Sequence, residues 1–181
     1  SFLVQPKLIE TVQHNKPTEL VTQAIYPVDT KNKRKLLTFL ISSQKWQQVL
    51  VFTRTKHGAD KVVRILHKAG VTAAAIHGNK SQNARQHALT NFKNGNTRVL
   101  VATDIAARGI DIDDLTHVFN YDLPDVPETY VHRIGRTGRA GNAGVAIAFC
   151  DENEKTELRE IQKLINKIIP VVDNHPFPAG T

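Results

Sequence analysis

Five short apolar runs recur at nearly even intervals along the chain: Gln48 to Phe52, Ala73 to Ile76, Val99 to Ala102, His117 to Tyr121 and Val145 to Phe149. Each has the length of a strand, and each is apolar almost throughout rather than alternating, the pattern of a strand covered on both faces. Between the runs the period changes. Ala59, Val62, Val63 and Leu66 precede Gly70, and Ala84, Ala88, Leu89 and Phe92 precede Gly95. Both are helical spacings closed by a glycine where a helix would stop. A strand from about Thr22 to Val28, a helix from about Lys33 to Ser42 and an amphipathic helix from about Glu152 to Asn166 complete the series. Strand alternating with helix predicts α/β architecture with a mostly parallel central sheet and helices on both faces.

The flanks read differently. Residues 1–21 hold no complete strand–helix–strand unit, residues 22–168 read as one domain, and the Pro-rich residues 169–181 predict a flexible tail. The chain contains no methionine, which reads as a piece of a longer protein. The cluster K-N-K-R-K, Lys31 to Lys35, is read as the solvated start of a helix in preference to a targeting or nucleic-acid patch.

Charge leaves two readings open. Lys and Arg number 24 against 17 Asp and Glu, a formal net charge of +7, which suits nucleic acid or phosphate better than an acidic metabolite but fits a merely soluble basic protein equally. No apolar run approaches the roughly 18 residues of a membrane span, and no signal-peptide pattern opens the chain, so a cytoplasmic protein without membrane contact is expected. The one cysteine, Cys150, lies in the apolar run V-A-I-A-F-C and reads as a small core residue. His14, His57, His67, His87, His117 and His175 lack metal-ligand spacing, so no metal site is expected.

In open parallel sheets ligands bind beyond the carboxyl ends of the strands. Those positions here carry T-R-T after Phe52, H-G-N-K-S after Ile76, T-D-I-A-A-R-G-I-D after Ala102 and D-L-P after Tyr121. Hydroxyls, glycines and arginines collected on one rim suit phosphate groups, although any single Thr or Ser there could simply cap a helix. Further on, H-R-I-G-R-T-G-R spaces Arg133, Arg136 and Arg139 three apart, so that they would lie roughly on one side of a helix or extended turn. Like charges crowded in this way suggest a shared polyanion.

V-L-V-F-T-R-T-K, H-G-N-K-S-Q-N-A-R, A-T-D-I-A-A-R-G-I-D and H-R-I-G-R-T-G-R, in that order, resemble the motifs of the second RecA-like domain of DEAD-box RNA helicases, nearest to the bacterial RhlE type. The resemblance covers about residues 22–168 and implies a RecA-like three-layer α/β/α sandwich, with residues 1–21 the end of the first helicase domain and the interdomain linker. It implies ATP with Mg2+, both held mainly by a first domain outside this chain. It also implies RNA as a partner, bound through its backbone without sequence preference.

By the same resemblance Arg136 and Arg139 face the γ-phosphate as catalytic arginines, with Gly135 and Gly138 leaving room for close approach. Asp111 meets the ribose, Gly109 allows close approach, and His132 contacts the opposing domain. Arg54, Thr55, Gly78, Gln82, Arg85, Thr103 and Asp104 form the RNA-contacting set, although Asp104 could instead hold a loop. For Asp111 the alternatives are a helix cap or an ion pair with Arg108, and for Arg133 a structural salt bridge. The chain lacks both G-x-x-x-x-G-K-[ST] and a D-E-A-D run, so alone it should bind RNA weakly and hydrolyse ATP negligibly. Rival readings are an RNA-binding module without nucleotide chemistry, a DNA translocase of the same superfamily, and a dinucleotide oxidoreductase, for which G-x-G-x-x-G is missing after the first strand.

Overall fold

The computed structural model describes residues 20–138 and 143–180. Among these, strands β1 (Val21–Pro27), β2 (Val49–Phe52), β3 (Ala73–Ile76), β4 (Val99–Ala102), β5 (His117–Asn120) and β6 (Gly144–Cys150) form one sheet in the order β1-β6-β5-β2-β4-β3. Every pairing is parallel. The helices are α1 (Lys33–Ser43), α2 (Lys56–Lys68), α3 (Gln82–Lys93), α4 (Asp104–Ala107), α5 (Pro127–Ile134) and α6 (Lys155–Ile165).

Side-chain alternation along the strands divides the core. Val49, Val51, Val99 and Val101 pack with Leu36, Leu37 and Leu40 of α1 and with Ala59, Val62 and Leu66 of α2. Their neighbours Leu50, Phe52, Leu100 and Ala102 pack on the other face with Ala88 and Phe92 of α3 and Ala106 and Ala107 of α4. On that same face Ala146 and Ala148 of β6 meet Tyr130 and Ile134 of α5 and Ile161 and Ile165 of α6. The central strands β2 and β4 are buried at every position, so both side-chain directions must be apolar. Each large side chain buried in this way contributes about 1.5–3 kcal/mol, which is why these runs show no polar alternation.

The caps follow the chemistry of the sequence. Thr55 accepts from the Gly58 N–H at the start of α2, and Ser81 accepts from the Ala84 N–H at the start of α3. Gly70 (φ +80°) and Gly95 (φ +87°) follow the ends of those two helices in the left-handed region. At the start of α6 the helix begins three residues later than the expected Glu152, at Lys155. The Glu154 carboxylate turns back to accept from the Asp151 N–H (3.1 Å), and Asp151 accepts from the Asn153 N–H (2.8 Å), so these residues form a turn.

Two expectations are corrected. Lys33 is not solvated: it is 3% exposed and surrounded by carboxylates. The segment from 169 onward, expected as a flexible tail, lies along the outer edge of β1. Ile25 N–H donates to Pro170 O and Val172 N–H to Ile25 O, both at 2.8 Å, and the Phe177 ring packs on the α1–α2 side of the core. Gly138 (φ +69°) is also closely packed within the domain, since a Cβ there would come 2.8 Å from Val21 Cγ2 and 3.1 Å from Leu20 O. Cys150 is a core residue, with its thiol pushed up to about 11 chiefly by burial. No described helix is long and apolar enough to cross a membrane.

Candidate nucleotide and nucleic-acid site

Because all six strands run the same way, the segments after β2, β3, β4 and β5 emerge on one rim. Beside it, α4 and α5 enclose a cleft of about 140 Å³ lined by Arg108, Gly109, Thr129, His132 and Arg136, with Arg133 and Asp104 in its floor.

The arginines of H-R-I-G-R-T-G-R do not act as one set. Helix α5 opens with Pro127 at its first turn and ends at Ile134, where the Gly135 N–H donates to Val131 O (3.0 Å). Arg133, on the inner face of that helix, is 1% exposed. Its Nε and Nη2 donate to the two oxygens of Asp104, both at 2.7 Å, and its Nη1 donates to Asn120 Oδ1 (2.8 Å) and Asp122 O (2.6 Å). The guanidinium lies 5.2 Å from the centroid of the Phe52 ring. Arg133 is therefore the structural salt bridge. Asp104, expected among the RNA contacts with loop-holding as its alternative, accepts from Arg133 through both carboxylate oxygens and so braces α4. Arg139 lies outside the described residues.

Arg136 points the other way, into the loop that follows α4. Its Nη1 donates to Ile110 O (2.8 Å) and Ile112 O (3.3 Å), and its Nη2 to Ala107 O (3.1 Å). Asp111 sits between the two carbonyls that Nη1 grips. Its side chain is 88% exposed, with Lys93 Nζ at 3.9 Å; it is neither a helix cap nor paired with Arg108. Gly109 (φ +79°) makes the turn, and nothing lies within 4 Å of where its Cβ would be. His132 is exposed on the cleft wall.

The remaining rim residues come together as the strand ends require. Arg54, 45% exposed, donates from its backbone N–H to Asp122 Oδ2 (2.9 Å) and from Nη2 to Leu123 O (2.7 Å). Thr55 caps α2, Gly78 opens an uncrowded loop, and Gln82 is exposed in the first turn of α3. Arg85, one turn further along α3, keeps its Nε buried without a hydrogen-bond partner. Thr103 stands at the start of α4 with no capping bond from its hydroxyl. The Gly78 loop is shaped by His77, 2% exposed, whose Nε2 lies 2.9 Å from Asp60 Oδ1 and whose Nδ1 accepts from the Asn79 N–H (3.2 Å).

A charge network behind Arg54 has no counterpart in the sequence reading. Lys33 Nζ lies 2.8 Å from Glu154 Oε1, 3.1 Å from Asp122 Oδ1 and 3.3 Å from Asp151 Oδ2. Burial pushes the Lys33 ammonium down, but the three carboxylates outweigh it and raise it above its usual value. For Asp151 burial is likewise outweighed, here by the Thr30 hydroxyl and Lys33, and its carboxyl is lowered. No group of His, Cys, Asp and Glu among the described residues could hold a metal ion.

A parallel sheet between helical layers, with guanidiniums, hydroxyls and an exposed carboxylate along its carboxyl rim, places the protein in the RecA-like class of α/β domains. Residues 32–141 match the family of the helicase conserved C-terminal domain. The chain is 45% identical over 166 residues to the DEAD-box ATP-dependent RNA helicase CshA of Streptococcus pneumoniae, across 92% of this chain and 32% of that protein. It thus spans about a third of the length of that relative. Among solved structures, the E. coli DEAD-box protein SrmB bound to the regulator of ribonuclease activity RraA superimposes with a TM-score of 0.83 at 34% identity, covering 89% of this chain and 95% of that one. S. cerevisiae Dbp5 bound to RNA and ADP BeF3 superimposes with a TM-score of 0.78 at 34% identity, covering 84% of this chain and 41% of that one. The chain belongs to the helicase conserved C-terminal domain family, in its DEAD-box branch.

Proposed function

We propose that this domain is the second half of an ATP-dependent RNA helicase of the cytoplasm. It closes on ATP and Mg2+ held mainly by a first RecA-like domain, and lays an RNA backbone along its rim during local duplex unwinding. One observation carries this reading: Arg136 grips the main chain on both sides of Asp111, so a cation for the phosphates and a carboxylate for the ribose share one rigid wall. A fixed guanidinium fork neutralises charge that develops on the transferred phosphoryl group only when the facing domain brings that group to it. Arg139 is assigned to the same task and His132 to the facing domain.

RNA falls to Arg54, Thr55, Gly78, Gln82, Arg85 and Thr103. They offer donors for phosphate oxygens and no aromatic platform, so binding is insensitive to base identity. The relative solved with RNA and ADP BeF3 supports RNA and nucleotide as the two ligand classes. The test joins the chain to a first helicase domain carrying a phosphate loop and measures ATP hydrolysis with and without RNA. Stimulation by RNA is expected in the joined protein and negligible turnover in this chain alone; a joined, folded protein that RNA leaves unstimulated would refute the proposal.

Arg85 supplies a second check. Arg85→Ala should weaken binding to oligouridylate and oligoadenylate alike, and reduce the slope of log affinity against log salt by about 0.7 to 1, the share of one phosphate. A selective loss on one sequence would mean that bases are read there.

A further inference from the structure

We propose that Lys33 and Glu154 are positioning residues that hold Arg54 in place for an RNA phosphate. The inference rests on the reading of Arg54 as an RNA contact. Neither residue reaches the rim: Lys33 is 3% and Glu154 4% exposed.

What they do is grip the groups that grip Arg54. Asp122 accepts from the Arg54 N–H through Oδ2 (2.9 Å) while its Oδ1 takes Lys33 Nζ (3.1 Å). The Leu123 peptide accepts from Arg54 Nη2 through its carbonyl (2.7 Å) while its N–H donates to Glu154 Oε2 (2.8 Å). The same Glu154 oxygen lies 3.7 Å from Arg54 Nη2, and the other takes Lys33 Nζ (2.8 Å). The main chain and the side chain of Arg54 are thereby fixed from two directions. The anchors come from α1, from the segment after β5 and from the turn before α6.

A buried ammonium among carboxylates is a poor way to gain stability, because well-packed apolar side chains of similar volume serve as well or better. Its distinctive product is geometry. An arginine held by one edge before binding has less rotamer freedom left to lose when a phosphate arrives; immobilising such a side chain costs about 0.5–1.5 kcal/mol, equivalent to roughly 2- to 12-fold in affinity at 1.4 kcal/mol per tenfold.

The experiment is a double-mutant cycle on the chain joined to its first domain. Affinity for labelled oligouridylate is measured for the parent, Glu154→Gln, Arg54→Ala and the double variant, with thermal melting of each. Glu154→Gln is expected to weaken RNA binding about 3- to 10-fold and to add nothing once Arg54 is alanine. It should also raise the RNA concentration for half-maximal ATPase without changing turnover at saturating RNA. Equal weakening in both backgrounds, or an unchanged RNA affinity beside a lowered melting temperature, would overturn the positioning role. An unchanged affinity for Arg54→Ala would instead strike at the RNA contact itself, and the inference would fall with it. If Glu154→Gln does not fold, Asp122→Asn, which weakens the same support while leaving Glu154 in place, enters the cycle with the same two outcomes.

Discussion

Arg136→Ala, placed in this chain joined to a first helicase domain, is expected to lower RNA-stimulated ATP turnover by about 10³-fold or more, with little change in RNA affinity in the absence of nucleotide. The magnitude is that of an arginine finger, roughly 4 kcal/mol or more of transition-state stabilisation. The carbonyls of Ala107, Ile110 and Ile112 lose the Arg136 guanidinium in the same variant, so a brace of the loop and the phosphate charge are removed together. Arg136→Lys separates them in part: it keeps a cation but not the planar fork that spans the carbonyls of Ala107, Ile110 and Ile112. Steady-state hydrolysis at saturating ATP and RNA is the measurement, and turnover within tenfold of the parent would remove Arg136 from catalysis.

Its neighbour three residues earlier should behave in the opposite manner. Arg133→Ala leaves the Asp104 carboxylate, Asn120 Oδ1 and Asp122 O without their donor, and it opens a void beside Phe52. Removing one member of a buried ion pair costs about 3–5 kcal/mol, and for a domain of this size each kcal/mol moves the melting temperature about 2–4 °C. Thermal unfolding of this chain by itself should therefore fall by about 6–20 °C. A shift smaller than about 2 °C would mean that the pair contributes no net stability. The two variants thus separate the arginines of one motif into a buried strut and a cleft-facing cation.

That separation shows where the sequence was legible. Continuous apolar runs placed the central strands to within a residue, because burial on both faces leaves no room for polar alternation. Helix α5 was missed for the converse reason. Its inward face is Tyr130, Val131, Arg133 and Ile134, and the arginine interrupts the apolar period that marks a core-facing helix. Three-residue spacing in H-R-I-G-R-T-G-R suggested a shared side for the arginines, yet the helix ends between Arg133 and Arg136 and turns their side chains apart. Lys33 was misread because its three carboxylate partners lie 89 to 121 residues away, at separations that composition and local pattern do not register. The rim itself was legible, since a parallel sheet puts every strand's carboxyl end on the same side.

The strip of chain from Pro170 to Gly180 also bears on how the molecule keeps to itself. Among the described strands β1 is the outermost, and an outermost strand with bare main-chain donors and acceptors is a template for pairing with another molecule. Here Pro170, Val171 and Val172 occupy that border, His175 binds Pro27 O, and Asp29 takes the Gly180 N–H. A version shortened to end ahead of Pro170 would carry an open seam from its first strand onward, and self-association of such a version would report on the missing hem rather than on any native assembly.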